Sequence, residues 1–261
     1  MSIMGCEALE SLPRVSTVDE NLKQGSEFPC LLELSIRTCP NLRELPHLFP
    51  SLAMLEINGC QELAKLPGLP SICELEVNKF DERVLQSIVN LSSLTYLRMC
   101  QISMLTCLLK RFFQKLTALE ELQIADLGEL TTLSNELGLQ NLQCLQRMEI
   151  SGCPFLKELP QSLYELSFLK ELRVSKCPSL VSFPATGLPS MLISLEIKDC
   201  KDLMFLPEWE MLNNEKAFPL LEYLVIEGCS SLKSLPRGQL PIGREICSRK
   251  VSLKKSAPGN K

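Results

Sequence analysis

Thirteen cysteines, a single histidine and many carboxylates are the residues of this 261-residue chain whose chemistry could be put to use. A zinc site would need cysteines in close pairs such as Cys-x-x-Cys, with histidine partners. No such pair occurs, and the one imidazole, His47, follows Leu45-Pro46 on a loop where a solvated side chain is expected. Any nucleophile–histidine pair would have to use that residue. The chain contains no Gly-x-x-x-x-Gly-Lys-Ser/Thr phosphate loop and no Gly-x-Ser-x-Gly elbow. Adjacent carboxylates such as Glu120-Glu121 fall on a face that should be exposed. The expectation is therefore neither an enzyme nor a metal centre, with no cofactor held by this chain.

The elements that position these residues follow from a period. The line Leu-x-x-Leu-x-Ile-x-x-Cys-x-x-Leu-x-x-Leu-Pro restarts at Leu31, Leu52, Ile72, Leu94, Leu119, Leu145, Leu169, Leu192 and Leu221, in steps of 20 to 29 residues. A leucine pattern at this period is the signature of a leucine-rich-repeat solenoid. The second and third apolar positions, such as Leu34 and Ile36, are two apart and share one face of a short strand, so stacked coils give a parallel sheet with a wet concave face. Six lines close on Pro directly, at Pro46, Pro67, Pro160, Pro184, Pro207 and Pro236, where the missing amide ends the regular segment. The predicted fold is an α/β solenoid with an irregular convex side and a few short helices.

Seven cysteines, Cys6, Cys39, Cys60, Cys153, Cys177, Cys200 and Cys229, occupy one slot of that line. There a cysteine acts as a small buried hydrophobe with a weak donor. The odd total and the spacing of a coil or more predict free thiols. Phe80, Ile102 and Leu127 take the slot in three middle coils and should fill it with apolar bulk. Two stretches leave the return pattern for a helical spacing: Val84, Leu85, Ile88 and Leu91, then Leu105, Leu108, Leu109, Phe112 and Phe113.

The organisation expected is a partial repeat and insertion over 1–30, nine repeats over 31–238, and a basic, disordered tail over 239–261. From Arg237 onward there are seven Lys or Arg against one Glu, so the rest of the chain is strongly acidic within an overall charge of −4. An acidic solenoid argues against nucleic acid as its partner. No apolar run is long enough to span a bilayer, and no signal peptide is visible at the start, which predicts a cytoplasmic protein.

Outward strand positions form ladders along the solenoid. One reads Ser35, Glu56, Glu76, Arg98, Gln123, Glu149, Arg173, Glu196, Val225, and the other Glu33, Met54, Glu74, Tyr96, Glu121, Arg147, Glu171, Ser194, Tyr223. Glu33, Glu56, Glu74 and Glu76 make an early acidic patch of crowded like charges. Arg98, Arg147, Glu149 and Arg173 make a later patch of mixed sign. Aromatic and Arg residues are favoured anchors of protein interfaces, so Tyr96, Arg98, Arg147, Arg173 and Tyr223 join the candidate partner-binding set. Trp209, in the longest insertion, is expected to pack on the convex surface.

Cys-Pro-x-Leu-x-x-Leu-Pro from Cys153 to Pro160, Gly-Leu-Pro-Ser from Gly187 to Ser190, and Leu-Glu-Tyr-Leu-Val-Ile-Glu-Gly-Cys from Leu221 to Cys229 resemble the repeats of plant intracellular nucleotide-binding leucine-rich-repeat immune receptors, closest to their coiled-coil class. The resemblance covers about residues 1–237. It implies a sensor that binds a pathogen effector or a host protein and folds back on the receptor's nucleotide-binding module. The ADP or ATP of that family would belong to the module, which this sequence does not contain. Two other classes share such repeats: ubiquitin-ligase substrate adaptors, which would carry an F-box, and receptor-kinase ectodomains, which favour Asn in the Cys slot. Reading the chain as starting inside a coil, the Leu31–Pro46 coil is expected to show an uncovered apolar edge.

Overall fold

The computed structural model describes residues 1–12, 28–206 and 220–234. Among them, ten strands form one parallel sheet in strict chain order: β1 Ser2–Met4, β2 Glu33–Arg37, β3 Met54–Asn58, β4 Glu74–Asp81, β5 Tyr96–Ser103, β6 Glu121–Ala125, β7 Arg147–Ser151, β8 Glu171–Ser175, β9 Ser194–Lys198 and β10 Tyr223–Glu227. Most strands are five residues long with two residues facing inward, while β4 and β5 run to eight and bury Phe80 and Ile102 as well. In β2, Leu34 and Ile36 are buried while Glu33 and Arg37 are exposed. The register is the one the period predicts: Leu34 faces Leu55, Leu55 faces Leu75, and Met148 faces Leu172. One continuous apolar core follows the sheet from Leu12 to Leu232.

Eight of the ten strands are followed directly by a residue with positive φ, Gly5, Thr38, Gly59, Asp126, Gly152, Lys176, Asp199 and Gly228, and the longer β4 and β5 carry the same bend inside the strand, at Lys79 and Gln101. After β2, β3, β6, β7, β8 and β9 that residue's N–H donates to a carbonyl of the next strand, as from Thr38 to Asn58 at 2.7 Å and from Asp126 to Ser151 at 2.8 Å. The Cys slot comes next. Cys39, Cys60, Cys153, Cys177 and Cys200 have no exposed surface, and their thiols donate back to the carbonyl two residues earlier, Cys177 to Ser175 at 3.3 Å. Phe80, Ile102 and Leu127 are buried in the same slot, as expected. Cys6 departs from the pattern: it is exposed, because among the described residues no coil packs on the outer side of its own.

The return path carries a second, thinner parallel ladder of single bridges, Cys107, Thr132, Glu158, Ser182 and Phe205, one residue before the closing apolar position. The helical spacing from Val84 to Leu91 is realised as a 3-10 turn at Glu82–Val84, capped by the Asp81 carboxylate on the Arg83 amide at 2.9 Å, and a short helix α1 at Leu85–Ile88. The helix expected over Leu105–Phe113 is absent and is replaced by turns. Arg111 has φ of 58°, and the amides of Arg111 and Phe113 donate across to Glu136 and Leu137 of the next coil instead of back along their own segment. Phe112 and Phe113 are both buried, edge to face at 5.0 Å, which one helical face could not achieve for consecutive residues. Further 3-10 turns lie at Asn135–Leu137, Leu139–Asn141 and Gln161–Glu165.

The uncovered edge expected on the Leu31–Pro46 coil is also corrected. β1 pairs with β2, and Ile3, Leu9 and Leu12 pack on that coil, leaving Cys39 and Leu42 fully buried. Trp209 and the tail from 239 lie outside the described residues.

Candidate protein-recognition surface

The outward positions of the sheet form three parallel ladders, of which the sequence reading used two. Both are in the expected register: Glu33, Met54, Glu74, Tyr96, Glu121, Arg147, Glu171, Ser194 and Tyr223 lie side by side, as do Ser35, Glu56, Glu76, Arg98, Gln123, Glu149, Arg173, Glu196 and Val225. The third runs Arg37, Asn58, Asn78, Cys100, Ala125, Ser151, Ser175, Lys198 and Glu227.

That third ladder changes the electrostatics of the acidic patch. Arg37 reaches across to Glu56 at 2.7 Å, and the Ser35 hydroxyl donates to the same carboxylate at 3.0 Å. The hydrogen bond from Arg37 holds Glu56 below the usual carboxylate range. Glu76 lies beside Tyr96, whose phenol is pushed up to about 12 by burial and then by the Glu76 charge. Glu33 and Glu74 are exposed, and no other side chain among the described residues pairs with their carboxylates. Between them in the ladder sits Met54, 38% exposed, with Leu32 at 60% just outside the strand. Met54 and Leu32 were missed as contact candidates because the reading ranked charge and aromaticity; their signal was an apolar residue in an outward slot.

The later patch is largely paired within itself. Arg98 donates to Gln123, which donates to Glu121, which accepts Arg147 at 2.6 Å. Arg173 lies between Glu171 at 3.4 Å and Glu196 at 3.9 Å, and Lys198 takes the other oxygen of Glu196. Glu149, half-buried, has no such partner among the described residues. Tyr223 is 50% exposed at the far end. The candidate residues thus lie on one face in two groups, an early one with unpaired carboxylates beside apolar surface and a later one whose charges neutralise each other.

Among the described residues no cluster of three or more His, Cys, Asp or Glu could hold a metal ion, and no helix is long and apolar enough to cross a membrane.

This sheet, its left-handed turns and its apolar return define a leucine-rich-repeat protein. In the solved structure of the leucine-rich-repeat domain of the type III effector XopL, 25% identical and covering 79% of this chain and 64% of that one, the same fold superposes with a TM-score of 0.51. No protein-family model matches the chain. Its homologues are disease-resistance proteins of Arabidopsis thaliana. Disease resistance protein RPP4 is 30% identical over 213 residues, 79% of this chain and 17% of that protein. A protein provisionally named a disease resistance protein is 37% identical over 135 residues, 51% of this chain and 9% of that one. The chain therefore corresponds to less than a fifth of the length of either relative.

Proposed function

We propose that this chain is the recognition surface of a plant immune receptor of the coiled-coil nucleotide-binding class, acting in the cytoplasm. Its concave face binds a pathogen effector or a guarded host protein, and in the resting receptor docks on the nucleotide-binding module. The observation that carries the reading is the early face: Glu33 and Glu74, whose carboxylates have no side-chain partner among the described residues, flank exposed Met54, with Tyr96 on the strand after Glu74. Unpaired carboxylates around an apolar contact suit a partner presenting Lys or Arg around an apolar side chain. The self-paired Arg98, Arg147 and Arg173 contribute less net energy, because a ligand must first break their ion pairs.

The test is binding of this chain to the nucleotide-binding module of its own receptor, followed by calorimetry at two salt concentrations. Glu33→Lys with Glu74→Lys should weaken docking by roughly tenfold and remove most of its salt dependence. Docking indifferent to these reversals would sink the concave assignment. A ubiquitin-ligase adaptor is the competing reading, and an F-box encoded upstream, in place of a phosphate loop, would decide for it.

A further inference from the structure

Away from the concave face, the return path holds an open groove of about 1000 Å³. Its origin is a change of coil type. The coils of β2 and β3 return through Leu-Pro arms, Leu45–Leu48 and Leu66–Pro70, joined by Gly68 N–H to His47 O at 2.8 Å and Phe49 N–H to Gly68 O at 3.0 Å. The following coil returns through α1 instead. There the arm-to-arm pairing stops, and the Leu66 amide is satisfied by the Ser87 hydroxyl at 3.1 Å. The arm and the helix diverge, leaving a trough between them.

The trough has an apolar floor, Leu45, Pro46, Leu66, Leu69 and Leu91. Along the helix wall stand two carboxamides, Gln86 and Asn90. Asn90 uses its oxygen to accept Lys115 at 2.8 Å, which leaves its amide hydrogens for a ligand. Arg43 and Lys65 also line the groove, both exposed and without an ion-pair partner among the described residues. Arg83 also lines the groove, but it is held by Asp81 at 2.7 Å. With Arg83 counted, three cations line the groove against one carboxylate, Glu44, a local inversion in a strongly acidic body, and Pro46, Pro67 and Pro70 cannot offer amides to a pairing strand.

We propose that this groove binds an extended, proline-containing segment of a partner protein, with leucine-type side chains on the floor and carboxylates at Arg43 and Lys65. Side chains and the two carboxamides read the segment, since the prolines exclude strand addition. A segment already extended in solution loses little entropy on entering such a trough. The site is separate from the concave face and stands or falls independently of the function proposed above.

The probe is a fluorescein-labelled peptide Glu-Glu-Leu-Pro-Leu-Pro-Leu-Glu, read by anisotropy on the full chain, with a control in which lysines replace the glutamates. Expected is saturable binding of the acidic peptide alone, weakened roughly tenfold by Arg43→Glu with Lys65→Glu, weakened by salt, and unchanged by the distant Lys201→Glu. Because Arg43 and Lys65 are exposed, unchanged urea midpoints will show that the variant folds. No binding, equal binding of the lysine peptide, or binding indifferent to the double reversal overturns the proposal. A concentration-dependent oligomer abolished by that reversal also overturns it, since a second copy would then be the occupant.

Discussion

The carboxylate of Asp126 stands where Gly152 of the next coil has no side chain: a Cβ built on Gly152 would lie 2.0 Å from Asp126 Oδ1. Asp199 and Gly228 repeat the relationship at 2.4 Å. In both pairs the two residues occupy the left-handed turn slot of neighbouring coils. Gly152→Ala should therefore destabilise the protein by about 1–3 kcal/mol, from the left-handed backbone and the displaced carboxylate together. Adding Asp126→Ala should recover part of that loss, because contacting residues are not additive. Strictly additive urea midpoints would contradict the steric coupling.

Cys153 is fully buried and Glu149, four residues earlier in the same coil, is half-buried on the open face. Cys153→Ser exchanges a soft apolar group for a hydroxyl in a closed turn and should cost about 1–3 kcal/mol. Glu149→Ser should stay within about 0.5 kcal/mol. Equal denaturation midpoints would argue against the packing described.

Alkaline pH should loosen the solenoid through the same slot. Burial pushes the Cys60 thiol up to about 11 and the Cys200 thiol up to about 12, against an ordinary value of 9.0. A thiol that ionises later in the folded state than in the unfolded one contributes stability that is complete below pH 9 and is lost as pH rises through 11 to 12. Urea midpoints should fall between pH 8 and pH 10.5, and fall less steeply in Cys60→Ala and Cys200→Ala. A flat profile over that range would refute the thiol linkage.

The twelve described cysteines are all free. Thiol labelling of the denatured chain, prepared without reductant, should count all thirteen cysteines as reactive. Two or more intramolecular disulfides would overturn both this count and the role of the slot as a packed turn.

Much of this was legible in the chain because a solenoid is built from local, repeated contacts. The register from Leu31 to Leu221 and the outward ladders follow from spacing alone, as does the filling of the Cys slot by Phe80, Ile102 and Leu127. What spacing could not convey was competition between neighbours. The Leu105–Phe113 stretch carries a helical pattern, yet its amides find better acceptors in the adjoining coil. Arg37 neutralises Glu56 from a ladder that a two-position reading of the strand leaves out. The left-handed turn was invisible for a different reason: six of its ten occupants are not glycine, so composition does not mark it.

That turn has an evolutionary corollary. Where it joins consecutive coils, the joint is an amide of one coil meeting a carbonyl of the next, and it accepts Gly, Thr, Lys or Asp at the bend. Apart from the Asp126–Gly152 and Asp199–Gly228 pairs, a joint made by backbone groups places little demand on the outward side chains of the strands. Outward residues such as Glu33, Glu74 and Tyr96 can change identity without loosening the stack, and whole coils can be gained or lost at matching seams. A lineage can thus redraw the outward face of its sheet while inheriting the scaffold intact.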